Sequence, residues 1–267
     1  MEQAVWTRVD TGQGMLDMLA ARFVRHRFAP HAHAEYAIGV CTAGRETIQL
    51  RGGSVSAGPG SLVVIEPGEV HTGGSAVPGG FAYRVFYPNW TMLSDRGFPH
   101  FREPVLHDPE LVGELYRTHT VLSRWQDPLE AESRLTWLLG RLVERHAAGV
   151  RPVSARQRDG VAKATMDFLA DRLVDPPTLQ QIAAELGVSR FQLVRSFRDT
   201  VGLPPYAWLA QHRVSRAREL IIAGHRPAQA AALTGFADQA HLTRWFRRVL
   251  GVTPGVFRNS VQDSRTR

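Results

Sequence analysis

Gly187-Val188-Ser189-Arg190-Phe191-Gln192-Leu193-Val194-Arg195-Ser196-Phe197-Arg198 runs on to Gly202-Leu203-Pro204-Pro205. Its imperfect copy, Gly235-Phe236-Ala237-Asp238-Gln239-Ala240-His241-Leu242-Thr243-Arg244-Trp245-Phe246-Arg247, runs on to Gly251-Val252-Thr253-Pro254. The pairs Leu193/Leu242, Arg195/Arg244, Phe197/Phe246, Arg198/Arg247, Gly202/Gly251 and Pro205/Pro254 share one offset of 49 residues. An internal repeat governs the reading of the rest of a chain. Each copy is a short helix, a glycine turn and an arginine-bearing helix, so the repeat predicts two DNA-reading heads.

In the first copy Leu179, Ile182, Ala183 and Leu186 form an apolar face. Gly187 permits the tight turn, and Val188 packs beneath it. Leu193 and Phe197 are four apart and share the inner face of the next helix, with Phe191 and Val194 competing for it. Arg190, Gln192, Arg195, Ser196 and Arg198 are left facing outward. A helix of this kind in the major groove pairs Arg with guanine N7/O6 and Gln with adenine N6/N7. In the second copy Ala228, Ala231, Ala232 and Leu233 are read as the first helix's inner face, and Leu242 and Phe246 as the matching core pair. Gln239, His241, Thr243, Arg244, Arg247 and Arg248 are its polar remainder. Thr178/Gln181 and Ser189/Gln192 have the spacing of capping boxes, and Asp238 is a further N-cap. A long helix from Pro204 to Ala223, closed by Gly224, joins the copies.

The charge distribution agrees. Residues 151–267 carry 18 basic and 9 acidic residues, against 14 and 16 in the remainder. A net of +9 beside a net of −2 points to a polyanionic partner for the C-terminal half alone. Lys163 is the only lysine, which coding bias explains at least as well as a need for guanidinium forks. A length of 267 residues suggests two domains. No apolar run is long enough to span a bilayer, and the N-terminus lacks the pattern of a signal peptide. The lone Cys41 cannot form an internal disulfide, which is compatible with a cytoplasmic location. Little near Cys41 supports a redox role.

Residues 22–87 read as short strands between turns. Tyr36-Ala37-Ile38-Gly39-Val40, Ser61-Leu62-Val63-Val64-Ile65 and Phe81-Ala82-Tyr83-Arg84-Val85-Phe86-Tyr87 are the apolar runs of a small all-β barrel or jelly roll. From Pro109 the period becomes helical. Leu111, Leu115 and Leu122 mark one helix. Leu135, Leu138, Leu139, Leu142 and Val143 mark another, started by Asp127-Pro128. These leucines either cap the barrel or form a dimer seam. Gly149-Val150-Arg151-Pro152-Val153-Ser154 reads as a linker, followed by a helix over 156–173. The expected organisation is a barrel domain over 1–107, a helical dimerisation or linker region over 108–148, a linker over 149–155, and an all-α domain over 156–259. Its helix-turn-helix units span 178–199 and 226–248.

Within the barrel, His31-x-His33-x-Glu35 precedes one apolar strand and Pro67-Gly68-Glu69-Val70-His71 follows another. Alternation on a strand would let His31, His33 and Glu35 converge, with His71 arriving from a neighbour. Three histidines and a carboxylate are a ligand set for Zn, Mn or Fe. The same residues serve equally as pocket lining or as structural groups, so no cofactor is assigned. Tyr36, Arg45, Tyr83, Arg84, Tyr87 and Trp90 are further candidate effector contacts, although aromatics more often pack in a core.

The stretch Ile182-Ala183-x-x-Leu186-Gly187-x-Ser189-x-x-x-Leu193-x-Arg195-x-Phe197, with Gly235-Phe236-x-Asp238-x-x-His241-Leu242-x-Arg244-x-Phe246-x-x-x-x-Gly251-x-Thr253-Pro254, resembles the AraC/XylS family of bacterial transcription regulators. The N-terminal histidine pattern resembles both cupin barrels and the sensory domain of those regulators. The resemblance implies a seven-helix DNA-binding domain with two helix-turn-helix units, and a ligand-responsive, non-enzymatic regulator. It places Phe191, Val194 and Arg195, and Gln239, His241, Thr243 and Arg244, nearest the bases, with Arg195 foremost. Val194 departs from the polar residue some members carry, which leaves a thymine-methyl contact there. Promoter DNA, a small-molecule effector, a second copy of the chain and, for an activator, RNA polymerase are the partners it implies. A metal-dependent cupin enzyme carrying a DNA-targeting domain, and a constitutive DNA binder, are the alternatives.

Overall fold

The computed structural model describes residues 2–11, 13–124, 128–151 and 160–263. The chain divides into two compact units, one built mainly on 1–155 and the other mainly on 156–258.

The first unit is antiparallel β-sheet with two helices. Strands β1 (Gln3–Asp10), β2 (Met15–Phe23), β3 (Ala37–Gly44), β4 (Glu46–Leu50), β5 (Gly53–Ala57), β6 (Leu62–Ile65), β7 (Thr72–Ser75), β8 (Phe81–Tyr87), β9 (Phe98–Phe101) and β10 (Val105–Leu106) precede the helices. A six-stranded sheet has the order β1-β2-β8-β3-β6-β10, and a three-stranded sheet the order β5-β4-β7. Helices α1 (Pro109–Arg124) and α2 (Pro128–His146) follow, then β11 (Ala147–Arg151).

Strand β8 shows how the two faces are used. Arg84 and Phe86 meet α1: the Arg84 guanidinium donates to Thr120 Oγ1 at 3.0 Å, and the Phe86 ring lies 5.2 Å from His119. Phe81, Tyr83 and Tyr87 point the opposite way, as alternation requires. The leucines of α1 and α2 share a single core with Ile38, Val40, Leu62, Val64 and Phe86. Leu111, Leu115, Leu122, Leu138 and Leu142 are completely buried within one chain. The stripes therefore cap the sheet, and those leucines are not available as a dimer seam. Among the described residues, Tyr116 and Trp137 are the large apolar side chains these helices leave exposed.

The expected linker starts too early. β11 runs to Arg151 and pairs with β9, with Gly149 opposite His100 and Arg151 opposite Phe98. Arg151 also reaches the His100 ring at 2.7 Å and the Glu66 carboxylate at 3.6 Å. Asp127, residues 152–155 of the expected linker, and 156–159 of the following expected helix lie outside the described residues.

The second unit is helical: α3 (Gly160–Asp171), α4 (Leu179–Glu185), α5 (Arg190–Val201), α6 (Pro205–Ile222), α7 (Pro227–Leu233), α8 (Gln239–Leu250) and α9 (Pro254–Asp263). The caps fall where the sequence puts them. Thr178 and Ser189 both close full capping boxes, and the Asp238 carboxylate accepts from the His241 amide. Gly202 and Gly251 end α5 and α8 at φ +82° and +74°, a conformation natural to glycine. Leu193, Phe197, Leu242 and Phe246 are fully buried.

The inner face of α7 differs from expectation. Pro227, Ala230, Ala231 and Thr234 are buried, whereas Ala228, Ala232 and Leu233 are exposed, Leu233 by 52%. The second copy has one more turn residue than the first, Gly235-Phe236-Ala237 against Gly187-Val188. Upstream of the turn the repeat offset is therefore 48, and Ile182 and Ala183 correspond to Ala230 and Ala231.

Candidate nucleic-acid interface and effector site

Helix α5 exposes Arg190, Gln192, Arg195 and Arg198. Its start is rigid, because Ser189 Oγ accepts from the Gln192 amide at 3.2 Å and Gln192 Oε1 accepts from the Ser189 amide at 2.9 Å. That second bond uses one lone pair of the Gln192 carbonyl and ties the side chain to the helix start. Arg195 is 72% exposed at its side chain, with Nε 3.7 Å from Asp199 one turn on. A solvated pair of this kind is worth little and gives way readily to a phosphate or a base edge. Val194 packs in part against the cluster of Leu169, Ile182, Ala183, Leu193 and Leu209. The Phe191 side chain lies outside the described residues.

Helix α8 repeats the arrangement. Gln239, Arg244, Arg247 and Arg248 are exposed. The His241 ring stands edge-on to Phe236 at 5.2 Å, and the Thr243 hydroxyl donates to the Gln239 carbonyl at 2.8 Å. His241 is thus held against the turn before α8 and Thr243 against its own helix, which leaves Gln239 and Arg244 the more accessible of the expected base readers. Arg248 lies over the Trp245 ring at 5.5 Å. The turn before α8 tolerates only glycine: Gly235 sits at φ +77°, and a Cβ there would come within 2.8 Å of the Leu173 carbonyl. That carbonyl is itself held by the Arg213 guanidinium.

The expected effector residues separate into three groups. The ligand atoms of His31, His33 and His71 lie within 4.8 Å of one another, and Glu35 does not join them. Residues 31–35 are not a regular strand, so strand alternation does not account for the convergence. Nδ1 of His31 faces the Ala29 carbonyl at 2.8 Å, and Nδ1 of His71 faces the Glu69 carbonyl at 2.9 Å. Burial pushes the His71 pKa down, against the opposing backbone bond to Glu69. Tyr83 and Tyr87 form a second group on the inner sheet face. Tyr87 stacks on Trp6 at 5.3 Å and meets the His33 ring at 5.1 Å. The third group lies elsewhere. The Tyr36 hydroxyl donates to the Pro99 carbonyl at 2.6 Å from within the helix-side core. Arg45 is exposed, Arg84 is held over the Tyr116 ring at 4.3 Å, and Trp90 pairs with Phe98.

Sequence reasoning passed over Glu46. It shares the face of buried Ile48 on β4, and burial pushes its carboxyl up to about 8. The signal was present as an acid in the apolar phase of Glu46-x-Ile48-x-Leu50. Cys41 is buried and its thiol is pushed up, first by burial and then by Glu46, which runs against thiolate chemistry. Among the described residues no helix is long and apolar enough to cross a membrane.

Residues 13–139 match the AraC-like ligand binding domain, and residues 182–260 match a helix-turn-helix domain. The chain is 27% identical over 237 residues to the uncharacterized HTH-type transcriptional regulator YbfI of Bacillus subtilis, covering 85% of this chain and 86% of that one. It is 24% identical to the arabinose operon regulatory protein of Escherichia coli K12, covering 85% and 82% respectively. The crystal structure of ToxT from Vibrio cholerae O395 superposes with a TM-score of 0.56 at 11% identity, over 97% of this chain and 98% of that chain, which shows a common fold. With a ligand-binding β-rich unit followed by paired helix-turn-helix units, the chain belongs to the AraC family of transcription regulators.

Proposed function

We propose that the chain reads promoter DNA through α5 and α8 and that a small effector bound in the β-rich unit alters this binding. The observation that carries the reading is the pair of capped, arginine-bearing helices in the basic half of the chain. Arg190, Phe191, Gln192, Val194 and Arg195 on α5, and Gln239, His241, Thr243 and Arg244 on α8, are the proposed contacts, with Arg195 and Arg244 leading. Helix α6, with 18 residues, is about 27 Å long at 1.5 Å per residue. That length is of the order of the roughly 34 Å repeat between successive major grooves on one face of DNA. An effector shifts the equilibrium only if it binds the DNA-competent and incompetent states unequally. The active species is a homodimer on two sites, and an activating member would also touch RNA polymerase.

The test is titration of the full chain onto its own upstream DNA and onto random duplex at fixed salt. A preference of about 10³ or more is the mark of a specific regulator. A ratio near one would make it a constitutive basic coat.

A second reading, a metal-dependent cupin enzyme with a DNA-targeting domain, is favoured by the convergence of His31, His33 and His71. Elemental analysis of purified protein decides it. Stoichiometric metal lost in His71→Ala supports that reading, and its absence removes it.

A further inference from the structure

Glu46 is an acid in the wrong phase of its strand. Successive residues of β4 alternate, so Glu46 points inward with Ile48, while Gln49 is exposed. The pairing of β3 with β8 puts Cys41 opposite Tyr83 and Gly44 opposite Phe81, and β2 puts Phe23 opposite Phe81. The chain turns from Gly44 to Glu46 there, so the carboxyl enters at the Phe81–Tyr83 end of the inner face. The Phe81 and Tyr83 rings stack at 5.3 Å and 12°, and Phe23 packs against them at 6.2 and 6.1 Å. The Glu46 charge acts on the Tyr83 hydroxyl and the Cys41 thiol. The β5 and β7 positions beside it are Ala57 and Ser75, neither of them titratable, and Arg45 points outward. Among the described residues no hydrogen bond or ion pair reaches this carboxyl. Glu46 nevertheless keeps some accessible surface, so it is not sealed off from an approaching ligand.

A desolvated acid with no partner is costly and calls for an explanation. Hydrogen-bond donors carrying positive charge, beside aromatic faces, would supply one. We propose that Glu46, with the rings of Phe23, Phe81 and Tyr83, anchors an effector site for a small organic amine bound as its ammonium ion. This rests on the reading of the β-rich unit as the effector domain. In the unliganded protein burial keeps the carboxyl protonated at neutral pH. On binding, the Glu46 O–H bond breaks, the proton passes to the buffer, and the carboxylate pairs with the ammonium. A neutral alcohol or a carboxylate of the same shape makes neither the ion pair nor the cation–π contact.

The experiment is calorimetry of the full chain with methylamine and 2-phenylethylamine, and with 2-phenylethanol and phenylacetate as shape controls. It is run at pH 7 in two buffers of different ionisation heat. The expected result is binding of at least one amine with release of close to one proton. The controls should bind on the order of tenfold or more weaker. Glu46→Gln should lose that preference while keeping its melting transition. If that variant does not fold, the wild-type amine affinity should still rise between pH 6 and pH 8.5. Uptake of neither amine at millimolar concentration, or equal affinity for alcohol or phenylacetate, overturns the proposal. Specific DNA binding that survives such a result leaves the regulator reading standing. Loss of specific DNA preference with amine binding intact would fault that reading instead.

Discussion

The Phe236 amide donates to the Ala231 carbonyl at 3.0 Å, and this bond fixes the phase of the second reading unit. In the first unit the Val188 amide makes the same bond to Ala183 at 3.0 Å. Both bonds close a helix C-terminus through a glycine of positive φ, Gly187 at +64° and Gly235 at +77°. The two units are thus one design with Ala237 added after the second turn.

Substitutions on α7 should follow that phase. Leu233→Ala removes an exposed side chain and should change stability by no more than about 0.5 kcal/mol. Ala231→Leu forces extra volume into a closed site and should cost about 1–3 kcal/mol. Thermal melts of the two variants check this, and a loss of about 2–5 kcal/mol in Leu233→Ala would return Leu233 to the inner face.

Phe246 is fully buried and meets Phe257 edge-on at 5.5 Å. Its truncation to Ala should cost about 3–5 kcal/mol and melt the second unit. Urea unfolding followed by tryptophan fluorescence reads this directly. An unchanged midpoint would show that Phe246 is not core.

Arg195→Ala should lose on the order of 1–3 kcal/mol of specific binding, with little effect on random duplex. Asp199→Ala removes the competing carboxylate 3.7 Å away and should strengthen binding slightly. Fluorescence anisotropy at fixed salt measures both. Equal losses on specific and random DNA would make Arg195 a phosphate contact.

Glu46 should make the protein less stable as pH rises. Its folded value of about 8 lies above the ordinary 4.5, so the folded state holds a proton that the unfolded chain has released. The stability this proton confers is complete below about pH 4.5 and is lost progressively up to about pH 8. The slope is at most about 1.4 kcal/mol per pH unit. Denaturant unfolding of wild type and Glu46→Gln from pH 5 to pH 8 should differ by that slope. Parallel profiles would mean that Glu46 titrates normally.

The helical unit was the more legible in sequence because its signals are local. Ser189, Asp238, Gly202 and Gly251 act on their immediate neighbours, and the Leu193/Phe197 and Leu242/Phe246 pairs need only helical spacing. The face of α7 was misread because the single added turn residue shifts the register, and alanines carry too weak a pattern to correct it. In the β-rich unit the strands were legible, but which side of a sheet becomes interior depends on partners distant in sequence. Tyr36 and Arg84, which meet the helix side, were therefore not separable in sequence from Tyr83 and Tyr87, and Glu46 was passed over. The His31, His33 and His71 convergence was legible because it rests on spaced residues of unusual type.

The central claim is that α5 and α8 read DNA together. Footprinting of the full chain upstream of its own and neighbouring genes, beside Arg195→Ala and Arg244→Ala, tests it most directly. The account predicts paired protected blocks about one helical turn apart, the first lost with Arg195→Ala and the second weakened with Arg244→Ala. Uniform, salt-sensitive coverage without boundaries, unchanged by either variant, would contradict it.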